Sequence, residues 1–132
     1  MSTKHLITKD KARQLTSEYR KNRKHILKDE FSNKTILPIC ETFERAAFDR
    51  VLAQEGCVGL RVYFGMNEEM NVNLVIVGVN DRNEDMLTPL SQPAGDVTRM
   101  AFASTTTDDD DPIIESGTQC PTNCPPPSEL YP

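Results

Sequence analysis

Aromatic side chains make up only 6% of the 132 residues, and tryptophan is absent. Stacking platforms for nucleic-acid bases are correspondingly scarce. No stretch approaches the ~20 consecutive apolar residues that a membrane-crossing helix needs, which excludes a helical span. The opening Met1-Ser2-Thr3-Lys4-His5 lacks the apolar run of a secretory signal, so a cytoplasmic location is expected, with export by a signal-independent route left open. There are only two histidines, His5 and His25, both in the N-terminal segment. The chain contains no Gly-x-Ser-x-Gly elbow, phosphate loop or dinucleotide fingerprint. No catalytic residue and no cofactor are therefore assigned, and a non-enzymatic protein is expected. The apolar share, 37%, is low for one fully packed domain, which puts part of the chain outside the core.

What is present is a marked division of charge. Residues 1–34 carry ten basic and four acidic side chains, a balance of +6. Residues 35–132 carry five basic and sixteen acidic ones, a balance of −11. The formal net charge of −5 averages a basic arm and an acidic body. Such a split suits a nucleic-acid or membrane-surface patch, or complementary contacts within or between copies.

The pattern of apolar residues predicts an α+β fold. Residues 8–31 read as one helix, with Thr8 as N-cap and no Gly or Pro inside. Ala12, Leu15, Tyr19 and Ile26 form a narrow apolar stripe beside a broad cationic face. Residues 39–54 read as a second helix, with Pro38 in its first turn and Gly56 just past its end. Strands are expected over 59–65, where residues alternate, and over 72–79, which is apolar enough to be covered on both faces. The short polar link between them predicts an antiparallel hairpin. A turn is expected over 80–85 and a third strand over 97–103. The expected architecture is two N-terminal helices packed on a small antiparallel sheet built on the hairpin 59–65/72–79, followed by a Pro/Cys-rich tail. Its segments are a basic helix (1–34), a core (35–103) and an acidic linker with a weakly structured tail (104–132), in which Ile113-Ile114 is able to dock on the sheet. The expected core centres on Phe43, Phe48, Val51, Leu52, Leu60, Val62, Phe64, Leu74, Ile76 and Val77.

Gly59-Leu-Arg-Val-Tyr-Phe-Gly, then Leu74-Val-Ile-Val-Gly-Val-Asn-Asp, then Cys120-Pro-Thr-Asn-Cys124-Pro follow one another in an order that resembles a group of small bacterial proteins. That group has a Gly-x-Arg-x-Tyr-x-Gly strand and a Cys-Pro-rich C-terminus. The resemblance covers about residues 40–126. It implies a stand-alone bacterial domain in which the Cys-Pro segment is part of the design. The group carries no assigned activity, so no site residue transfers from it.

Four cysteines supply the candidate chemistry: Cys40, Cys57, Cys120 and Cys124. The Cys-x3-Cys spacing of Cys120 and Cys124 lies in the zinc-knuckle range, but two more ligands are needed to close a site. A disulfide between the two, or a pair of free thiols, fits the spacing as well. Cys40 and Cys57 read as small buried hydrophobes. Asp81-x-Asn83-x-Asp85 copies the first positions of an EF-hand loop, but Met86 and Gln92 stand where Gly and Glu are required, so a turn is the better reading. Arg61 and Tyr63 share a strand face and suit a ligand or an Arg stem lying beside Tyr.

The expected function is self-association, or binding of a protein partner, through the basic helix and the acidic, Pro-rich tail. The interaction residues are Arg13, Arg20, Lys24 and Lys28 on one side and Asp108, Asp109, Asp110 and Asp111 on the other. A zinc- or thiol-dependent protein using Cys120 and Cys124 is the alternative. Nucleic-acid binding by the basic helix ranks last, because the acidic body repels phosphate and no recognition motif accompanies the charge.

Overall fold

A computed structural model describes residues 4–90 and 111–132. The strand expected over 97–103 and the residues Asp108, Asp109 and Asp110 lie outside the described residues. The fold is α+β, with antiparallel pairing in its larger sheet. The chain forms two compact units. One comprises Met1–Glu41, Asn67–Val72 and Thr118–Pro132, the other Thr42–Met66 and Asn73–Gly117. These units interleave along the chain, whereas the expected segments 1–34, 35–103 and 104–132 are consecutive. Among the described residues no helix is long and apolar enough to cross a membrane.

In the first unit, helix α1 spans Lys9–Asn22. Thr8 caps it: its backbone is extended and its Oγ1 accepts from the Lys11 N–H at 3.1 Å. The expectation of one helix to residue 31 is corrected here. Asn22 turns its side-chain amide back on the Glu18 carbonyl, and the Arg23 Nε donates to the Leu37 carbonyl at 2.7 Å. Both bonds redirect the chain at the helix end. Ile26, the last member of the expected stripe, is 72% exposed, so the stripe gains no buried contact beyond Asn22. A single 3-10 turn, Asp29–Phe31, follows.

The second expected helix also starts later than its pattern implies. Residues Cys40–Thr42 form strand β1, which pairs with Thr118–Cys120 near the C-terminus. The Ile39 N–H donates to the Cys120 carbonyl at 2.7 Å. A backbone partner 81 positions along the chain thus outcompetes the helical periodicity of 39–44. Helix α2 is confined to Arg45–Leu52, and Gly56, at φ +88, belongs to the turn after it.

The second unit is built on strands β2 (Gly59–Met66) and β3 (Val72–Val79), whose Val72 belongs to the first unit. Strand β3 lies beside β2 and also pairs with β4 (Asp85–Met86) and β5 (Ile113–Ile114). Gly78 and Val79 face Met86 and Asp85, while Ile76 and Val77 face Ile114 and Ile113, both antiparallel. Asp85 is therefore a strand residue and not part of the turn expected over 80–85. Strand β6 is Thr118–Cys120, described above with β1.

The two hairpin turns share one construction. Asn67 Oδ1 accepts from the Glu69 and Asn71 N–H groups at 3.0 and 2.9 Å, and Met70 sits at φ +65. Asn80 Oδ1 accepts from Arg82 and Glu84 at 2.9 and 3.0 Å, and Asn83 sits at φ +64. An Asn that bonds its own turn and a left-handed residue three places on is the geometry of a bulged hairpin loop.

The core of the second unit is Val51, Ile76 and Ile114, with Phe43, Ala47 and Phe48 packed around it. Phe43 and Phe48 meet edge-to-face, 5.9 Å between centroids. Of the expected core, Val51, Ile76 and Val77 are buried, but Leu52, Leu60, Val62 and Phe64 are 46%, 38%, 47% and 81% exposed. Helix α2 has eight residues, about 12 Å. It packs against β5 and lies over Gly78, leaving this face of β2 uncovered among the described residues.

Two substitutions test this packing in opposite directions. A Cβ at Gly78 would stand 3.0 Å from Cys57 Sγ and 3.2 Å from Val51 Cγ1. Gly78→Ala is expected to lower stability by about 1–3 kcal/mol in chemical denaturation. Met70→Asn, which suits the left-handed backbone, is expected to raise it by about 1 kcal/mol.

Candidate functional site

Two clusters of functional side chains stand out, one in each unit. The first is on the sheet of the second unit. Alternation puts Arg61 and Tyr63 on one face of β2, and β3 carries β4 on its other side. Arg61 Nη1 is paired with Asp85 Oδ1, its Nη2 donates to Asn83 Oδ1, and the Tyr63 hydroxyl donates to Asp85 Oδ2. Hydrogen bonds from Tyr63, and then from Arg61, hold the Asp85 carboxyl below its ordinary range. The bond to Asp85 raises the Tyr63 phenol above its ordinary value, and the same carboxylate raises Arg61. In the turn, hydrogen bonds from Arg82 and then Asn80 lower Glu84.

This cluster explains the EF-hand likeness of 81–85. The side-chain oxygens of Asn83 and Asp85 that a cation would need are occupied by the Arg61 guanidinium. The cluster is a polar tie between β2 and β4 across β3, with its donors and acceptors mutually satisfied.

The second cluster is in the first unit, where the C-terminal segment lies on α1. The Asn123 N–H donates to the Gln119 carbonyl at 3.0 Å, closing a tight turn that brings Cys120 and Cys124 to a Cα separation of 4.5 Å. The structure joins these two in a disulfide and leaves Cys40 and Cys57 as half-buried thiols. Cys120 is fully buried. Beside it, the Gln119 amide donates to Glu41 Oε1 at 2.7 Å and to the Val72 carbonyl at 2.9 Å. Further on, Glu129 accepts from Lys9 at 3.1 Å and lies 3.7 Å from Arg13. Arg20 donates to the Leu130 carbonyl. The Ser128 N–H donates to the Tyr131 carbonyl at 2.9 Å, which curls the chain end. The segment expected to be weakly structured is thus anchored at both ends of its proline run.

Between this segment and α1 lies a cavity of about 410 Å³. Leu15, Tyr19, Ile39, Pro125, Leu130 and Tyr131 give it apolar walls. Thr16, Arg20, Cys40 and Ser128 supply its polar groups. The Tyr19 hydroxyl is spent on the Pro38 carbonyl at 2.6 Å, and burial raises its phenol above the ordinary value against the opposing pull of Arg23.

No family model, curated protein or solved structure matches the chain.

Of the residues expected to carry interactions, Arg13 and Arg20 are engaged by the chain's own C-terminal segment. Lys24 and Lys28 are exposed beyond the end of α1, with no carboxylate partner among the described residues. Asp111 is exposed and lines a smaller cavity of about 190 Å³ with Arg50 and Pro112. Cys40 is in β1 and not on a helix. Among the described residues no three His, Cys, Asp or Glu side chains are grouped as a metal site would require. The 410 Å³ cavity was missed by sequence reasoning. Its walls come from three separate stretches, residues 15–20, 39–40 and 125–131, and only the apolar stripe with Leu15 and Tyr19 on α1 hinted at one of them.

The Arg61–Tyr63–Asp85 tie contributes to the pH response at both ends of the range. The Asp85 carboxyl is lower in the folded chain than its unfolded value near pH ~3.9. Its stabilisation is therefore full above that value and lost as pH falls through the folded pKa. The Tyr63 phenol is raised, so its contribution is full below pH ~10 and lost as pH rises through the folded pKa. Urea denaturation across pH should show both losses, and Asp85→Asn should flatten the acid limb relative to the parent chain.

Proposed function

We propose that this chain is a non-enzymatic interaction protein that associates, through the cationic side of its first unit, with an acidic protein surface, a second copy of itself being the first candidate. The supporting observation is the fate of the basic arm. Its own C-terminal segment uses Arg13 and Arg20, while Lys24 and Lys28 stay exposed and without a carboxylate partner among the described residues. The rest of the chain, with a balance of −11 that includes Asp108–Asp111, supplies a complementary surface on another copy. Exposed charges of this kind steer association and set its salt dependence.

Sedimentation velocity over a concentration series tests this reading. Association is expected at 50 mM NaCl and should weaken at 500 mM. The Lys24→Glu/Lys28→Glu variant should weaken it about tenfold at low salt. Sedimentation as a monomer throughout, or association indifferent to salt and to the variant, overturns it.

A second reading is favoured by the Cys120–Cys124 disulfide. Disulfides are uncommon in reducing compartments, and this one closes the turn from which the proline run departs. In this reading the C-terminal segment holds α1 only while oxidised. Closing so short a loop is worth about 2 kcal/mol of chain entropy. Reduction, or Cys124→Ser, should increase hydrogen exchange at Ile39 and Gln119–Cys120 and leave β3 unchanged. Unaltered exchange on reduction counts against it.

A further inference from the structure

We propose that the cavity between α1 and the C-terminal segment is a binding site for a small amphipathic carboxylate, an alkyl or aryl chain ending in one negative charge. The inference is independent of the association proposed above.

Three observations carry it. The cavity, about 410 Å³, has the size of small-molecule sites. It combines largely apolar walls with few polar groups, as such sites do. Two of its wall residues, Leu15 and Leu130, are 51% and 41% exposed, so apolar surface is left for an occupant to cover.

Charge selects the head group. Arg20 is half-buried in the cavity wall, and its bond is to the neutral Leu130 carbonyl, with no carboxylate beside it among the described residues. Along the same helix, Lys9 and Arg13 both reach Glu129, and Arg13 is paired with Asp10 as well, so the carboxylates there are already engaged. Arg20 is therefore the charged group of the cavity wall, and a half-buried guanidinium without a counter-ion favours a carboxylate through a charge-assisted hydrogen bond. A cationic ligand would be repelled, and a neutral one would leave Arg20 uncompensated.

The protein has a built-in reporter. Cys40 lines this cavity, Cys57 is a free thiol in the other unit, and Cys120 and Cys124 are held in the disulfide. An occupant should shield Cys40 and leave Cys57 alone.

The test is alkylation by iodoacetamide, followed for each cysteine by peptide mass spectrometry. It uses non-reduced full-length protein, diluted until it sediments as a single unassociated species. Cover by a second copy is thereby separated from cover by ligand, so failure here does not touch the association reading. Octanoate at about 1 mM fills at least half of any site of millimolar affinity. Octanoate is expected to slow alkylation of Cys40 at least twofold without changing Cys57. Octylamine at the same concentration should leave Cys40 unprotected. Arg20→Gln should raise the octanoate concentration for half-protection about tenfold, and Arg20→Lys by less. No protection of Cys40, equal slowing of Cys57, equal protection by octylamine, or an Arg20→Gln variant that binds octanoate as the parent does would each overturn the proposal.

Discussion

The backbone of β3 needs hydrogen-bonding partners on both edges, and this requirement organises the second unit. Its central residues Ile76, Val77 and Gly78 are buried, and a buried backbone amide without a partner is costly. Strand β2 satisfies one edge through a local hairpin. The other edge is shared by two short pieces, Asp85–Met86 from the next turn and Ile113–Ile114 from much later in the chain. Ile114 also brings a side chain onto Ile76 and Val51, so one pairing closes the ladder and completes the core. Gly78 keeps its place because α2 crosses close above it.

In the first unit, polar contacts do the work that an apolar core does in the second. Ile36 and Cys120 are its buried apolar residues among those described. Around them, Tyr19 and Arg23 bind carbonyls of Pro38 and Leu37, Gln119 bridges Glu41 and Val72, and Glu129 joins Lys9 and Arg13. Exposed ion pairs contribute little each, typically under about 1 kcal/mol. The disulfide and the β1–β6 pairing therefore matter more here than they would beside a larger core. The same loose construction leaves the 410 Å³ cavity beside Arg20.

Local chemistry was legible where a residue's role depends on near neighbours. Thr8 before an uninterrupted run marked the start of α1, and the polar link 66–71 between two apolar runs marked the hairpin. The Asp81-x-Asn83-x-Asp85 spacing was readable as a turn because the later EF-hand positions fail. The occupant of those oxygens was not readable, since Arg61 reaches them from another strand. Periodicity misled at 39–44, where a helical pattern conceals a strand, and at 23–31, where charged residues continue a pattern whose last apolar member, Ile26, stays exposed.

By itself the sequence determined the α+β class, the hairpin, the division of charge and the cysteine spacing, because each rests on composition or on residues close in the chain. Only the tertiary structure decided that the C-terminal segment turns back on the basic helix, that Cys120 and Cys124 are joined, and that the Leu60, Val62 and Phe64 face of β2 is left uncovered among the described residues. These depend on which distant backbone groups find partners and on how far an eight-residue helix can reach. Neither quantity is encoded in any local window of residues.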